Sequence, residues 1–247
     1  MQLLAAISQR NRYAKAVAAL SPTAWWRLAE TSGTVAKAVM GSHDGTIVNG
    51  FTAAAGAIAG NGAMTFNGTT QRIAIGDVLD SVFAGENKSF SICAWVNLAT
   101  ADASTRVIVA KLGDSPENQR EFFLGQLSGK IRYVWYGALD ATSYRVMEST
   151  ATLITATWYH VATTFDHTQA ADDKAKIYIN GTAGQSVALT AGTPANIIAG
   201  TAKLSIASSL LSDNTTAKYF LSGTVDEISI HPAALTAAQV LALYQSR

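Results

Sequence analysis

Charge is scarce in this sequence. Only 14% of its 247 residues are Asp, Glu, Lys or Arg, and 18 basic against 17 acidic residues leave a formal net charge of +1. Such a balance projects no long-range field, which disfavours nucleic acid and anionic membrane as partners. Cysteine is almost missing: Cys93 stands alone, so no intramolecular disulfide can form and cysteine-based zinc sites are excluded. Its place in an apolar strand pattern reads as a buried thiol. Long apolar runs are missing too, and no segment approaches the roughly 20 apolar residues of a membrane span. In the opening MQLLAAISQRNRYAK the basic Arg10, Arg12 and Lys15 follow the short apolar run LLAAI, the reverse of a secretory signal. The expectation is a protein kept in a cytoplasm, or released by lysis or as part of a particle.

Catalytic signatures are also lacking. There is no His-Glu-x-x-His pair, no Gly-x-Ser-x-Gly elbow and no phosphate-binding Gly-x-x-x-x-Gly-Lys loop. His160 lies within a strand pattern, while His43, His167 and His231 fall at turns. Glu117 and Glu121 read as solvated loop charges, and Asp172-Asp173 as a polar loop tip.

What is present is period. Leu3, Leu4, Ile7, Ala14, Val17 and Leu20 recur near a helical spacing, predicting an amphipathic helix over 2–20 that ends before Ser21-Pro22. That helix, residues 1–20, precedes a β-rich body over 21–247 and is free to pack on it or dock into a partner. In SFSICAWVNL, Phe90, Ile92, Ala94, Val96 and Leu98 alternate with Ser91, Cys93, Trp95 and Asn97. Period two puts the first set in a core. Similar runs follow at 106–112, 120–127, 130–137, 144–150, 157–166 and 174–181. Asn180-Gly181 suits a type I′ hairpin turn, and Ser128-Gly129 joins two further strands in the same way. Many strands with short links and few helices argue for an all-β, antiparallel two-sheet sandwich. Thr236-Ala-Ala-Gln239 is a capping-box pattern opening a short C-terminal helix.

Seven pieces in order carry a resemblance: AWWRLAETSGT (24–34), HDGT (43–46), GNGAMTFNGTTQRIAI (60–75), SFSICAWV (89–96), TWYHVATTFD (157–166), KIYINGT (176–182) and FLSGTVDEISIHPAALTAAQVLALY (220–244). The chain resembles the concanavalin A-like lectin/glucanase superfamily, in its laminin G-like form found in bacterial surface and phage virion proteins. The resemblance implies a jelly roll, and a fold of this kind hosts lectins, enzymes and structural modules alike. It also implies a structural calcium, with Asp226 as the metal-side carboxylate. The early aspartate expected after the SGT turn is absent, with Ala38 in its place, which weakens a site for a hard cation. The alternative is that Asp226 binds early-loop backbone amides without metal. The family's glucanases need carboxylates alternating on one strand, and no such run occurs; Asp226 and Glu227 are adjacent and point to opposite faces.

Two surfaces are candidates. Tyr133 and Trp135, with Tyr144, Arg132 and Arg145 beside them, could stack and hold a sugar on the concave sheet, or serve inter-sheet packing and an oligomer contact. Leu3, Leu4, Ile7 and Trp25 form a candidate interface. In the first strand Trp26 and Leu28 face the core, while Trp25 lies under the helix or against a neighbour and Arg27 reaches Glu227 or solvent. The lone domain, the docking helix and the missing catalytic cluster point to a non-enzymatic structural or adhesion module. The leading expectation is a phage virion component, in capsid decoration or tail. Its partners would be further copies of itself, other virion proteins and host-surface glycans, with no nucleic acid or membrane. The alternative is a carbohydrate-binding module of a bacterial cell surface.

Overall fold

The computed structural model describes residues 12–114, 119–211 and 216–247. Among these, two sheets of nine and eleven strands face each other. The strand Phe90–Leu98 is central to the first sheet, paired antiparallel with Trp158–Phe165 on one side and Ser222–His231 on the other. Ser222–His231 pairs in turn with the first strand, Ala24–Trp26, so the two ends of the body close one sheet. The second sheet is built on the run Arg106–Asp114, Gln119–Leu127, Lys130–Tyr136, Tyr144–Thr152 and Gln185–Ala191, each antiparallel to the next. Antiparallel order follows from the short turns. At Ser128-Gly129 and Asn180-Gly181 both turn residues have positive φ (52° and 75°, 53° and 79°), the type I′ geometry that asparagine and glycine tolerate best.

The core lies between the sheets. Phe90, Ile92, Ala94, Val96 and Leu98 all point into it, as their alternation requires, and meet Ile108, Phe122, Leu124, Tyr133, Trp135 and Met147 from the other sheet. Trp26 and Leu28 join this core. Each large side chain so buried stabilises the fold by roughly 1.5–3 kcal/mol relative to exposure.

The opposite face of the first sheet is covered as well. Cys93 and Trp95, which alternate away from the core, pack with Tyr13, Val17, Trp25, Ile58, Val240 and Leu243. The N-terminal helix, described over residues 12–19, and the C-terminal helix Ala237–Gln245 therefore form a third layer. Thr236 caps the latter with both halves of the capping box in place. Trp25 is 6% exposed and lies under its own helix, so this member of the expected interface is spent within the chain. Leu3, Leu4 and Ile7 lie outside the described residues. No helix among the described residues is long and apolar enough to cross a membrane.

Candidate functional site

Three polar or aromatic constellations stand out from this frame. The first is the knot where the chain closes. Asp226 and Glu227 are both fully buried, which requires partners. Trp25 Nε1 donates to Glu227 Oε2 at 2.6 Å, and the Arg27 guanidinium donates twice to Oε1 at 2.8 and 3.0 Å. Asn61 Nδ2 donates to Asp226 Oδ1 at 2.9 Å and to Glu227 Oε1 at 2.8 Å, and the Ala57 amide donates to Asp226 Oδ2 at 2.9 Å. Glu227 carries a left-handed φ of 53°, beside a register shift between Asp226 and Ser229. Gly56 is needed there, because a Cβ on it would come within 2.4 Å of Asp226 Oδ2.

This geometry bears on the calcium implied by the family resemblance. The contacts reaching Asp226 are N–H donors, and Arg27 brings the positive charge to its neighbour. Burial, then the Glu227 charge, hold the Asp226 carboxyl well above the usual carboxylate range. A calcium ion takes six to eight oxygens, several of them ionised. The residues at Asp226 do not fit that requirement; they fit a carboxyl group held by amides.

The second constellation surrounds Lys111. This lysine is fully buried and its Nζ donates to Asp77 at 3.0 Å, to the Val78 carbonyl at 3.3 Å and to Asp80, with Glu121 at 3.5 Å. Glu121 was expected as a solvated loop charge. It lies instead in the strand Gln119–Leu127 and is fully buried, because a bulge between Arg120 and Phe122 sets it against the neighbouring strand's lysine. Glu117 falls outside the described residues. Burial pushes the Glu121 carboxyl up to about 7, opposed by the Lys111 charge. Asp77, Asp80 and Glu121 bring their oxygens within 4.8 Å of one another, but the ammonium already sits among them. It pins the segment 77–80 to the second sheet.

The third constellation lies on the strand pair Lys130–Tyr136 and Tyr144–Thr152. Tyr133 and Trp135, expected to stack on a sugar, are fully buried between the sheets. Alternation puts them on the core side, where Trp135 meets Phe165 edge-on at 5.5 Å. The outer side of the same strands carries Tyr136 and Tyr144, directly paired, with ring centroids 5.9 Å apart. Both are half-buried, and Tyr136 packs on this face against the cluster of Val107, Ala110 and Leu112. Arg132 is held by Glu148 at 2.7 Å, and Arg145 is paired with Asp172. Next to the tyrosines in the chain, Gly137 and Ser143 line a rim groove of about 380 Å³, completed by Gly85, Glu86 and the segment 193–199. Backbone bonds fix its walls: Ile198 N–H to the Tyr136 carbonyl and Gly85 N–H to the Ile197 carbonyl, each 2.9 Å. A Cβ on Gly137 would press Pro194 at 2.9 Å, so glycine lets the two walls close. Tyr144 was expected beside Tyr133 and Trp135; it is paired instead with Tyr136, which points away from both. The signal was there, since Tyr136 alternates away from Trp135 and faces Tyr144 across the hairpin.

Of the buried histidines, His231 shares a hydrogen bond with Ser229 at 3.0 Å. Burial lowers His160 to about 3 and His231 to about 4, which keeps both imidazoles neutral at physiological pH.

Comparison with known proteins agrees with the topology. The family model described as concanavalin A-like lectin/glucanases superfamily matches residues 67–241. Among solved structures, the chain is similar to domain 4 of AbnA, a GH43 extracellular arabinanase from Geobacillus stearothermophilus, in complex with arabinotriose. That likeness has a TM-score of 0.60 at 19% identity, over 91% of this chain and 98% of that one. It is also similar to the botulinum neurotoxin serotype C1 binding domain (TM-score 0.61, 14% identity, 92% of this chain and 52% of that). A mutant Trypanosoma rangeli sialidase displaying trans-sialidase activity matches too, with TM-score 0.59 and 15% identity, over 100% of this chain and 39% of that. The chain thus spans about half the length of the toxin domain and less of the sialidase. Among curated proteins none matches significantly.

Proposed function

We propose, because the chain belongs to the concanavalin A-like lectin/glucanases superfamily, that it is a non-catalytic recognition module binding glycans at the rim groove and the Tyr136–Tyr144 pair. The observation that carries this reading is a preformed groove lined by Gly137 and Ser143, the chain neighbours of the half-buried Tyr136–Tyr144 pair. Aromatic faces match the apolar face of a sugar ring, and phenol hydroxyls match its rim. The groove's volume lies within the roughly 300–1,000 Å³ of small-ligand sites. The arabinanase domain of nearly equal length, solved with arabinotriose, supports the same class of ligand. Catalysis is disfavoured by charge. Glycoside hydrolysis takes a pair of carboxyl groups flanking the bond, and among the described lining residues Glu86 is the single acid. A glycan array tests the proposal: wild-type protein retains specific glycans, and Tyr144→Ala loses them. An array with no retained glycan at high micromolar protein would overturn it.

A second reading, in which the chain is an oligomeric adhesion component of a virus particle, is favoured by one observation. The strand Gln185–Ala191 ends the second sheet with seven residues. The other strands that end the two main sheet runs have two or three. No charged residue occurs from 182 to 202, although charge is the usual guard of a long edge. Light scattering tests it: a defined oligomer supports self-assembly through such an edge, and a strict monomer at high concentration contradicts it.

A further inference from the structure

We infer that the groove takes neutral, hydroxyl-rich oligosaccharides and rejects sialylated or uronic-acid glycans, with Glu86 as the residue that sets this preference. The inference rests on the glycan reading above and names its ligand class.

The lining is the first ground. Its side-chain polar groups are the hydroxyls of Ser143 and Thr193, the amide of Asn196 and the acid of Glu86; no lysine or arginine is among them. Hydroxyl and amide groups both donate and accept, as sugar hydroxyls do, whereas a bound carboxylate calls for a cation or several N–H donors. Glu86 is exposed at the mouth, so an anionic sugar brought there meets like charge in a partly desolvated cleft.

The second ground is the state of the nearby arginines. Arg132, on the tyrosine face, is bonded to Glu148, whose carboxyl Lys130 also holds at 3.0 Å. Arg145, next to Tyr144 in sequence, is bonded to Asp172. Lys111, the cation buried beneath the 77–80 segment, is already held by two aspartates beside Glu121. Capturing an anionic glycan with any of these would break an existing pair, and the free energy of the new pair would be offset by the loss of the old. A neutral sugar asks for none of them. Its ring can rest on the tyrosines while its hydroxyls exchange hydrogen bonds with Glu86, Asn196 and Ser143.

The test uses the full chain, wild type and Glu86→Arg, against immobilised glycans in matched pairs: lactose beside sialyllactose, and arabinotriose and other neutral oligosaccharides beside uronic-acid counterparts. The wild type is expected to bind the neutral members at least about tenfold more tightly than their acidic partners, and Glu86→Arg to narrow or reverse that ratio. Glu86 is exposed, so the variant is expected to fold; its melting curve checks this. Preference of the wild type for the acidic members overturns the neutral class and leaves glycan recognition standing. A ratio that Glu86→Arg leaves unchanged overturns the role given to Glu86. Binding of neither member by the wild type overturns the glycan reading itself.

Discussion

At Glu227 a buried carboxylate, a left-handed backbone and an indole N–H meet. The residue has φ 53°, and Trp25 and Arg27 both donate to it. Removing one donor to a buried charge leaves part of its desolvation uncompensated, at about 1–3 kcal/mol. Trp25→Phe keeps most of the packing and loses that bond, so denaturant unfolding is expected to show a loss within this range. No measurable change would contradict the role given to the indole. Glu121 gives a second prediction, in pH. Its folded value near 7 lies above the ordinary 4.5, so the folded state holds a proton that the unfolded state has lost between these values. Its contribution is therefore full below about pH 4.5 and is lost as pH rises through 7, by up to about 3 kcal/mol. Glu121→Gln resembles the protonated form. Thermal melts should find wild type and variant similar near pH 5, and the wild type falling behind by pH 8. A wild type that gains on the variant over that interval would contradict this sign.

At the scale of elements, the two helices act as a lid on the outer face of the first sheet. Thr236 closes the capping box of the C-terminal helix. Thr236→Ala is expected to lower stability by about 1 kcal/mol, measured by chemical unfolding. The N-terminal helix contributes Tyr13 and Val17, both fully buried. A Val17→Asp substitution would put a charge into the apolar cluster that holds Trp25 and Trp95, and loss of cooperative unfolding is the expected outcome.

These elements were largely legible in the sequence. Period two in 89–98, the two positive-φ turns and the capping box each name a local physical requirement, and each has its counterpart in the fold. The sites were less legible. Tyr133 and Trp135 share a face, as the alternation says, but alternation cannot tell which face is covered by a second sheet. Glu121 was misread because a bulge, invisible in hydropathy, turns it toward Lys111. The rim groove joins residues 85–86, 137, 143 and 193–199, which only the closed sandwich brings together.

For the whole molecule, weak charge and the jelly roll support the proposed recognition by contact. Acids that might have suggested catalysis are committed elsewhere: Asp226 and Glu227 to the knot of Trp25, Arg27 and Asn61, and Asp77, Asp80 and Glu121 to Lys111. Beyond these lies a groove with neutral polar groups and one acid, next in the chain to the two half-buried tyrosines. The most direct test is isothermal titration of the tightest array glycan into wild type and into the double variant Tyr136→Ala/Tyr144→Ala. Binding that weakens at least about tenfold in the variant, with its melting transition retained, is the predicted result. Equal affinity in the two proteins would contradict the site.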